Sequence, residues 1–535
     1  MFFSFGEKLL LVIRMRKRSM RREKRKQKML EKYSQEKIDQ LDDLPVYKDV
    51  EENVRYVAET LGKPVDLVIR QFTMQYIPDT KAAVIFFDEL VDKEQIHNFI
   101  LRPLMLQGER IKVKTDVWHT AVESLVQVGE TKEINNLKKM IDAVLAGDTV
   151  LFIDGYTKGL VIGTRGWEMR SITEPSAESV VRGSREGLSE TITVSLGMIR
   201  RRLKDPHLRV DLFEIGKRTK TNVAMLYIKG IADPKIVKEF KKRLDRINID
   251  GVLESGYIEE LIMDQVWSPF PQIQNTERSD VVVGHLLEGK VALVVDGTPH
   301  VLIAPAVFTQ FYHSAEDYFE RYMISSALRL IRLISLVIAL LLPSIYIALI
   351  SYHPEMIPNT LAIAMAAGRS VVPFIPILEA LIMEFSVEIL REASIRLPGP
   401  IGPTIGIVGA LVIGDAAVTA GLVSPAMVIV VGLTTISSYA NPNYNAAISL
   451  RILRFPFMIA AATFGLYGIM ILLFLLLIHL SQLKSFGVPY MGPFGPLNLK
   501  DIKDSFIRVP WKLMIQRPSI YRPQDKIRQK AGNRK

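Results

Sequence analysis

The stretch Ala146-Gly-Asp-Thr-Val-Leu-Phe-Ile-Asp-Gly155 decides the fold of the first half of the chain, because a counterpart follows as Glu288-Gly-Lys-Val-Ala-Leu-Val-Val-Asp-Gly297. Each copy is an apolar run of strand length that ends in Asp-Gly, a dipeptide favoured in tight β-hairpin turns. Positions 154 and 296 differ by 142, and the upstream pair Asp92 and Asp233 differs by 141. This nearly constant offset predicts two copies of one strand–helix–hairpin unit.

The region around Asp92 and Asp233 supports the same interpretation. Each aspartate follows an apolar run that reads as a buried strand, and each precedes a stretch with apolar residues every three or four positions, which is typical of a helix. We therefore expect an α/β tandem-repeat cytosolic domain. Two unrelated α/β domains that share this pattern are the alternative.

Composition places a second kind of domain after the first. The 535 residues are 48% hydrophobic and carry a formal net charge of +11. The apolar residues crowd the last third, where several runs within residues 330–480 reach the roughly 20 residues needed to cross a bilayer. The sequence therefore predicts a polytopic α-helical membrane domain. Because the chain contains no cysteine, disulfides, thiolate metal sites and cysteine nucleophiles are excluded.

These features divide the chain into six segments. They are a basic N-terminal extension (1–47), the first α/β unit (48–167), a linker with a helix (168–221), the second α/β unit (222–320), the membrane domain (321–482) and a basic cytosolic tail (483–535). In the extension an apolar stretch precedes the basic run, the reverse of a secretory signal. The run lacks interleaved aromatic residues, so contact with solvent or membrane lipid is favoured over nucleic-acid binding.

Charged residues crowd the linker around Pro175 and two glycines. They are Glu174, Glu178, Arg182, Arg185, Glu186 and Glu190, with Gly183 among them. A helix is predicted over residues 184–204, because its apolar positions recur every three or four residues and form one stripe. The favoured interpretation is a salt-bridge knot that joins the two units. The alternative is a site where guanidinium groups bind an anionic ligand.

The membrane half carries charges where lipid would disfavour them. They are Glu379, Glu384, Glu388, Arg391 and Asp415. Such groups avoid lipid, so the glutamates either line a water-filled path for cations in an oligomer or pair internally with Arg391 and Arg396. These two interpretations are equally supported by the sequence.

The distribution of Lys and Arg predicts the orientation of the membrane half. The positive-inside rule places both the α/β half and the basic tail in the cytosol, and this requires an even number of crossings. Five apolar elements are apparent, the last of them over residues 455–480. One element is therefore expected not to cross fully.

Motifs for catalysis are missing from the sequence. Residues 211–219 resemble a phosphate-binding loop, but Asp211 replaces its first glycine and Arg218 its final Ser or Thr. The eight histidines are scattered and form no helical His-x-x-x-His pair, so metal binding has no local support. The sequence therefore predicts neither an enzyme nor a cofactor or metal site.

Several motifs that follow one another along the chain point to one family. They are Glu174-Pro175, Arg182-Gly-Ser-Arg-Glu-Gly187, Arg200-Arg-Arg202, Ser268-Pro-Phe-Pro271, Leu286-Leu-Glu-Gly289, Leu390-Arg-Glu-Ala393 and Gly409-Ala-Leu-Val-Ile-Gly414. In this order they resemble the A subunits of bacterial spore germination receptors, the GerA family, over roughly residues 48–487. Ser184 departs from the family pattern, in which proline often follows Arg-Gly.

The resemblance implies a nutrient germinant receptor in the inner membrane of a bacterial endospore, with both termini on the spore-core side. It also implies ligand-triggered ion release, a homo-oligomer, and assembly with a transporter-like B subunit and a lipoprotein C subunit. Paralogues associated with the dipicolinic acid channel share the signature, so that alternative stays open. A substrate- or ion-coupled transporter is the alternative from another class, and an internal repeat in the membrane half would favour it.

Overall fold

Two five-stranded antiparallel sheets with the same spatial strand order form the first half of the protein. The computed structural model describes residues 44–74, 80–106, 117–166, 175, 178, 180–395, 409 and 412–529. The first sheet has the order β1 (Leu67–Thr73), β2 (Lys81–Phe87), β4 (Thr149–Ile153), β5 (Gly159–Ile162) and β3 (Thr131–Ile134). The second has the order β6 (Leu208–Ile215), β7 (Thr221–Ile228), β9 (Val291–Val295), β10 (Val301–Ala304) and β8 (Gln274–Thr276). The predicted duplication is confirmed by this shared order.

Helices cover both faces of each sheet. In the first unit they are α1 (Val50–Leu61), α2 (Lys93–Ile96), α3 (Arg102–Leu106), α4 (Val117–Thr120) and α5 (Leu137–Ala146), with π-helical turns at His97–Leu101 and Ala121–Leu125. In the second they are α6 (Ile192–Arg202), α7 (Pro234–Leu244), α8 (Ser255–Ile262) and α9 (Ser279–Leu287). All five residues of β4 and of β9 are buried, which agrees with apolar cores on both sides of each sheet.

The two Asp-Gly turns occupy equivalent places. Asp154 accepts a hydrogen bond from the Val50 amide of α1 at 3.3 Å, and Asp296 accepts one from the Ile192 amide of α6 at 3.1 Å. The glycine after each aspartate has a φ of +89° or +88°, a region that residues with a side chain rarely adopt. Each unit therefore includes a helix before its first strand, and its hairpin turn caps that helix.

Because the two units are equivalent, part of the predicted linker, residues 168–221, has to be assigned to the second unit. Both α6 and β6 lie within that range, yet they belong to the second unit rather than to a connection. The helix also begins at Ile192 instead of residue 184. Gly187 pairs with Arg278 in an isolated β-bridge, so the chain before α6 is extended and cannot form helical hydrogen bonds.

A bundle of apolar helices follows the second unit. Its members are α10 (Tyr322–Tyr352), α11 (Asn359–Arg369), α12 (Pro376–Ile395), α13 (Pro425–Tyr439) and α14 (Tyr444–Gln482), and residues 412–419 are also helical. Among the described residues, α10 and α14 are long and apolar enough to cross a membrane.

Helix α14 is a hairpin of two antiparallel arms. Gly465 has φ +60° and ψ −143°, which is not helical, and it lies where the two arms meet. Ser449 of the first arm donates to the Pro269 carbonyl, while His479 of the second lies 2.9 Å from the Ser268 hydroxyl. Both outer ends therefore reach one loop. The expected single span over residues 455–480 is wrong, and the number of apolar elements rises by one.

The segment after α14, residues 483–529, is folded onto the rest of the protein and is called here the C-terminal strap. It starts with a short hairpin of β11 (Lys484–Ser485) and β12 (Val488–Pro489). Phe486 in its turn stacks on Phe240 of α7, with ring centroids 3.8 Å apart. The strap, predicted only as a basic cytosolic tail, is thus packed against the second unit.

Candidate coupling sites at the domain junctions

The glycine-rich segment before α6 lies against the connection between the second unit and α10. Gly183 has a φ of +152°, and a Cβ atom there would come within 3.0 Å of the Phe319 ring and 3.1 Å of the Arg278 guanidinium. A side chain at this position would therefore require both neighbours to move. Arg278 is buried and also pairs with Asp280 at 2.7 Å, so the segment packs against a fixed ion pair.

Glu186 links this segment to the basic end of α6. Its carboxylate pairs with Arg201 and, at 2.6 Å, with Arg202, while Arg202 also donates to the Ser279 hydroxyl at 2.9 Å. Partial burial raises the pKa of Glu186, but the hydrogen bonds from the two arginines outweigh burial and lower it. The ionised carboxylate therefore holds the segment on the second unit.

Arg182 and Glu178 have their contacts within the second unit and its connection to α10. Arg182 is exposed and lies 3.8 Å from Glu320, which leads into α10. Arg185 and Glu190 are exposed as well. Glu178 accepts a hydrogen bond from Thr276 at 2.6 Å, and burial raises its pKa to about 7. Glu174 lies outside the described residues.

The two units are joined instead by Arg200, the first arginine of the basic run that ends α6. Its guanidinium forms a bidentate ion pair with Asp66 of the first unit, with one bond of 2.8 Å, and both side chains are at least 96% buried. Arg200 also lies over the Phe87 ring, 4.1 Å from its centroid. The basic run was visible in the sequence. Nothing in the sequence around Asp66, which lies 134 positions away, indicates that this aspartate is the partner of Arg200.

A second arginine closes the same junction. Arg209 of β6 donates to the carbonyl of Leu61 at 2.7 Å and to that of Thr60 at 3.3 Å, both in the last turn of α1. Carbonyls at a helix end have no intrahelical partner, and a cation is favoured there by the helix dipole. The second unit therefore caps the first helix of the first unit.

A cleft beside this junction contains an unpaired carboxyl group. The cleft has a volume of about 660 Å³, and its lining includes Glu89 and Asp92 of the first unit and Gly197 of α6. One carboxyl oxygen of Glu89 is buried and has no hydrogen-bond partner. Burial and, to a smaller extent, Asp66 raise the pKa of Glu89 to about 8. At neutral pH this group is therefore mostly protonated.

The second unit meets the helical bundle through a buried ionic cluster. Arg329 of α10 is fully buried and pairs with Asp317 and with Asp504 of the strap, each at 2.9 Å. Arg332 pairs with the same Asp317 at 2.9 Å. Two aspartates from the connection and the strap thus match two arginines on the first turns of one long helix. Sequence analysis missed this cluster because its four members are spread over three predicted segments.

A further buried cluster attaches the strap to the second unit. Glu288 pairs with Arg528 of the strap at 2.9 Å and lies 3.7 Å from Lys290. Lys290 is 1% exposed and also donates to Gln310 at 2.7 Å. Burial lowers the pKa of Lys290 to about 8 and the pKa of His285, which lies 3.0 Å from it, to about 4. The attachment is therefore a charged contact shielded from water.

The glutamates of α12 are paired inside the bundle. Glu379 and Glu384 are fully buried; the first lies 3.0 Å from Arg369 of α11, and the second pairs with Arg454 of α14. Arg454 also donates to the Ala339 carbonyl of α10 at 2.8 Å. This placement favours internal pairing over an ion path for these two carboxylates.

The remaining charges of the bundle are nearer to the surface. Glu388 is half-buried and pairs with Arg391 at 3.1 Å and with Arg451 at 3.3 Å. Asp415 is exposed in the single chain. Arg396, the other expected partner, lies outside the described residues. Arg451 and Arg454, which the sequence analysis did not consider, supply the positive charge instead.

Comparison with known proteins gives consistent matches. A family model described as "Bacillus/Clostridium GerA spore germination protein" matches residues 55–520. Spore germination protein KA of Bacillus subtilis (strain 168) is 44% identical over 482 residues, which cover 90% of this chain and 88% of that protein. The uncharacterized membrane protein YfkQ of the same organism is 43% identical over 479 residues, which cover 90% and 92%. Among solved structures, the N-terminal domain of the A subunit of the Bacillus megaterium spore germinant receptor GerK3 is 36% identical, with a TM-score of 0.40, and the match covers 50% of this chain and 98% of that domain.

Proposed function

Because the chain belongs to the GerA family of spore germination proteins, we propose that it is the A subunit of a nutrient germinant receptor of a bacterial endospore. The family match over residues 55–520 carries the proposal, since this range includes nearly all of both α/β units, the helical bundle and most of the strap. The receptor would contain a transporter-like B subunit and a lipoprotein C subunit as further partners.

The helical bundle is proposed to lie in the inner spore membrane as a multi-pass domain. Its outward faces are apolar, and a relative that covers most of the chain is described as a membrane protein. Because α14 has two arms, the five predicted apolar elements become six. An even number of crossings is then compatible with a crossing by every element. Both termini then lie on the spore-core side, as the positive-inside rule predicts.

The clusters at the junctions support coupling between nutrient sensing and the membrane domain. Buried ion pairs have strict geometry, so a rotation of the second unit would break the contacts that Arg329 makes with Asp317 and Asp504 or move α10 with it. The proposed result is release of ions through an oligomer of this chain. Of the carboxylates predicted to line a cation path, Glu388 and Asp415 are not fully buried and remain available.

Deletion of the gene from its spore-forming host tests the assignment. Spores that lack this chain and the other nutrient receptors of the host, with only this chain and its neighbouring gene products restored, should respond to at least one nutrient. The restored chain should fractionate with the inner membrane. Spores that respond to no member of a broad nutrient panel, although the three subunits are present, would contradict the receptor role.

The ion path has its own test in liposomes that contain the reconstituted receptor. Glu388→Gln with Asp415→Asn should lower the cation flux that nutrient triggers, and its loss of stability should be smaller than that of Glu384→Gln, because Glu388 is only half-buried and glutamine still accepts hydrogen bonds from Arg391 and Arg451. Glu384→Gln is the matched control, and it should lower stability because Arg454 is left buried with no carboxylate. Unchanged flux and selectivity in the double variant would exclude these carboxylates from the path.

A further inference from the structure

The turn that follows α8 exposes two apolar residues to an unusual degree. Val266 is 53% exposed and Trp267 is 96% exposed, in a protein whose other fully described tryptophans are more covered. A tryptophan side chain buries a large area when it finds a partner, so complete exposure in water is unfavourable. The turn therefore needs an explanation from its surroundings.

The turn is rigid, because both of its ends are tied to neighbouring elements. At the start, Asp264 pairs with Arg243 of α7 at 2.7 Å and accepts a hydrogen bond from the Phe486 amide of the strap at 2.6 Å. At the end, the Ser268 hydroxyl lies 2.9 Å from His479. Trp267 is thus held in a defined position next to the last turn of α14.

That position continues the apolar outer face of the second arm of α14. Exposed apolar side chains recur along this arm at helical spacing; they are Tyr467, Met470, Ile471, Phe474, Leu475 and Ile478. Ile478 is the neighbour of His479, so the turn lies within about one helical turn, roughly 5 Å, of the end of the apolar face. Lys484, two residues after the end of the helix, is exposed. An apolar face that ends at a tryptophan and a lysine is typical of the boundary between acyl chains and headgroups.

We propose that Val266 and Trp267 insert into the headgroup region of the bilayer and anchor the second α/β unit on the membrane surface beside the α14 hairpin. The inference rests on the proposed membrane location of the bundle. The indole ring has an apolar body and one N–H donor, which suits this region better than water or the acyl core. On the neighbouring helix α8, Tyr257 and Leu261 are exposed as well, so this helix lies at the same apolar boundary as the turn.

The native chain contains no cysteine, which allows labelling at single sites without background. The full chain is reconstituted in liposomes as Trp267→Cys, and the cysteine carries a small fluorophore. Lipids with a nitroxide group near the top of the acyl chain then quench labels that touch the headgroup boundary. Phe474→Cys on the outer face of α14 is the positive control, and Val65→Cys, at an exposed position of the first unit, is the negative control.

We expect the label at position 267 to be quenched at least about threefold more than the label at position 65, as residues at the membrane interface are. Equal quenching at 267 and 65, with strong quenching at 474, would overturn the anchor and leave the membrane location intact. Weak quenching at 474 as well would instead overturn the proposed membrane location. Shielding of the 267 label from aqueous iodide without quenching by the lipids would show that a protein subunit covers the turn, and this also overturns the proposal.

Discussion

The two α/β units have the same strand order, but they differ in what occupies the site after their last helix. In the first unit Asp148 follows the helix-ending Gly147 and pairs with Arg165 at 2.7 Å, at the surface. In the second unit the equivalent residue is Lys290, which is buried and faces Glu288. The same backbone position therefore carries a buried aspartate with a half-exposed arginine partner in one copy and a fully buried cluster in the other.

Equivalent backbone carbonyls of the two units also have different hydrogen-bond partners. The carbonyl of Leu90 in the first unit accepts a hydrogen bond from Gly166, a residue of that same unit, at 3.3 Å. The equivalent carbonyl of Ile231 accepts one from Gln524 of the strap at 2.8 Å. In the second unit the strap thus occupies a position that, in the first unit, is occupied by a residue of that unit itself. The duplicated fold positions the site, and the differing side chains decide which segment binds there.

The largest expected effect is at the buried ion pair between the two units. Asp66→Ala should leave the Arg200 guanidinium buried without its carboxylate and destabilise the α/β region by about 3–5 kcal/mol. Thermal unfolding of the α/β region measures this change. Asp66→Leu combined with Arg200→Met should restore most of the stability, because two apolar side chains need no charge partner. An unchanged melting temperature in Asp66→Ala would show that the two units are held by other contacts.

A matched pair of variants compares the equivalent sites directly. Glu288→Ala removes the carboxylate shared by Arg528 and the buried Lys290, so the expected loss is about 2–4 kcal/mol, together with faster proteolysis of the strap. Asp148→Ala removes an ion pair whose arginine is half exposed, and the expected loss is below about 1 kcal/mol. Similar losses of unfolding free energy in both variants would show that the two sites contribute equally to stability.

Sequence reasoning identified the features that repeat or alternate. The Asp154-Gly155 and Asp296-Gly297 turns were readable because a constant offset and a strong turn dipeptide coincide. The α14 hairpin was not readable, because Gly465 sits inside one continuous apolar run whose composition is the same for one long helix or two. The packing of the strap was not predicted, because its many lysines and arginines dominate a composition in which only a few residues, such as Phe486 and Tyr490, are buried aromatics.

The ion pairs were the least predictable part of the site. Charged residues were visible near Gly183 and on α12, but a charge has no preferred partner until the fold brings one close. Arg200 and Asp66 are 134 positions apart, and Glu384 and Arg454 are 70 apart. For this reason the sequence drew attention to Arg182 and Arg185, whereas a buried pair between the units is formed by Arg200.

The pH dependence of stability should differ between the units. Glu89 has a pKa of about 8 in the folded protein and about 4.5 as an ordinary glutamate, so the folded state keeps a proton that the unfolded state has lost between these values. Stability therefore falls as pH rises from about 5 to 8. In the second unit the equivalent residue is Gly230, which cannot titrate. The free energy of unfolding of Glu89→Gln, measured relative to that of the unchanged protein, should therefore rise with pH over this range by on the order of 1 kcal/mol per pH unit. Parallel stability curves would show that Glu89 is not buried at the junction.

The smallest expected effect is at Arg182, the residue that the sequence made most prominent. Its guanidinium is two-thirds exposed and lies 3.8 Å from Glu320, and such surface pairs contribute about 0–1 kcal/mol. Arg182→Ala should therefore leave the melting temperature and the abundance of the receptor nearly unchanged, whereas Glu186→Ala should cost about 1–2 kcal/mol because Arg201 and Arg202 lose their shared partner. The nutrient response of Arg182→Ala spores then separates two roles. A normal response would make the residue a solvated side chain, while a lost response at normal abundance would mean that Arg182 binds a ligand or another subunit, since its contacts within this chain are too weak to explain the loss.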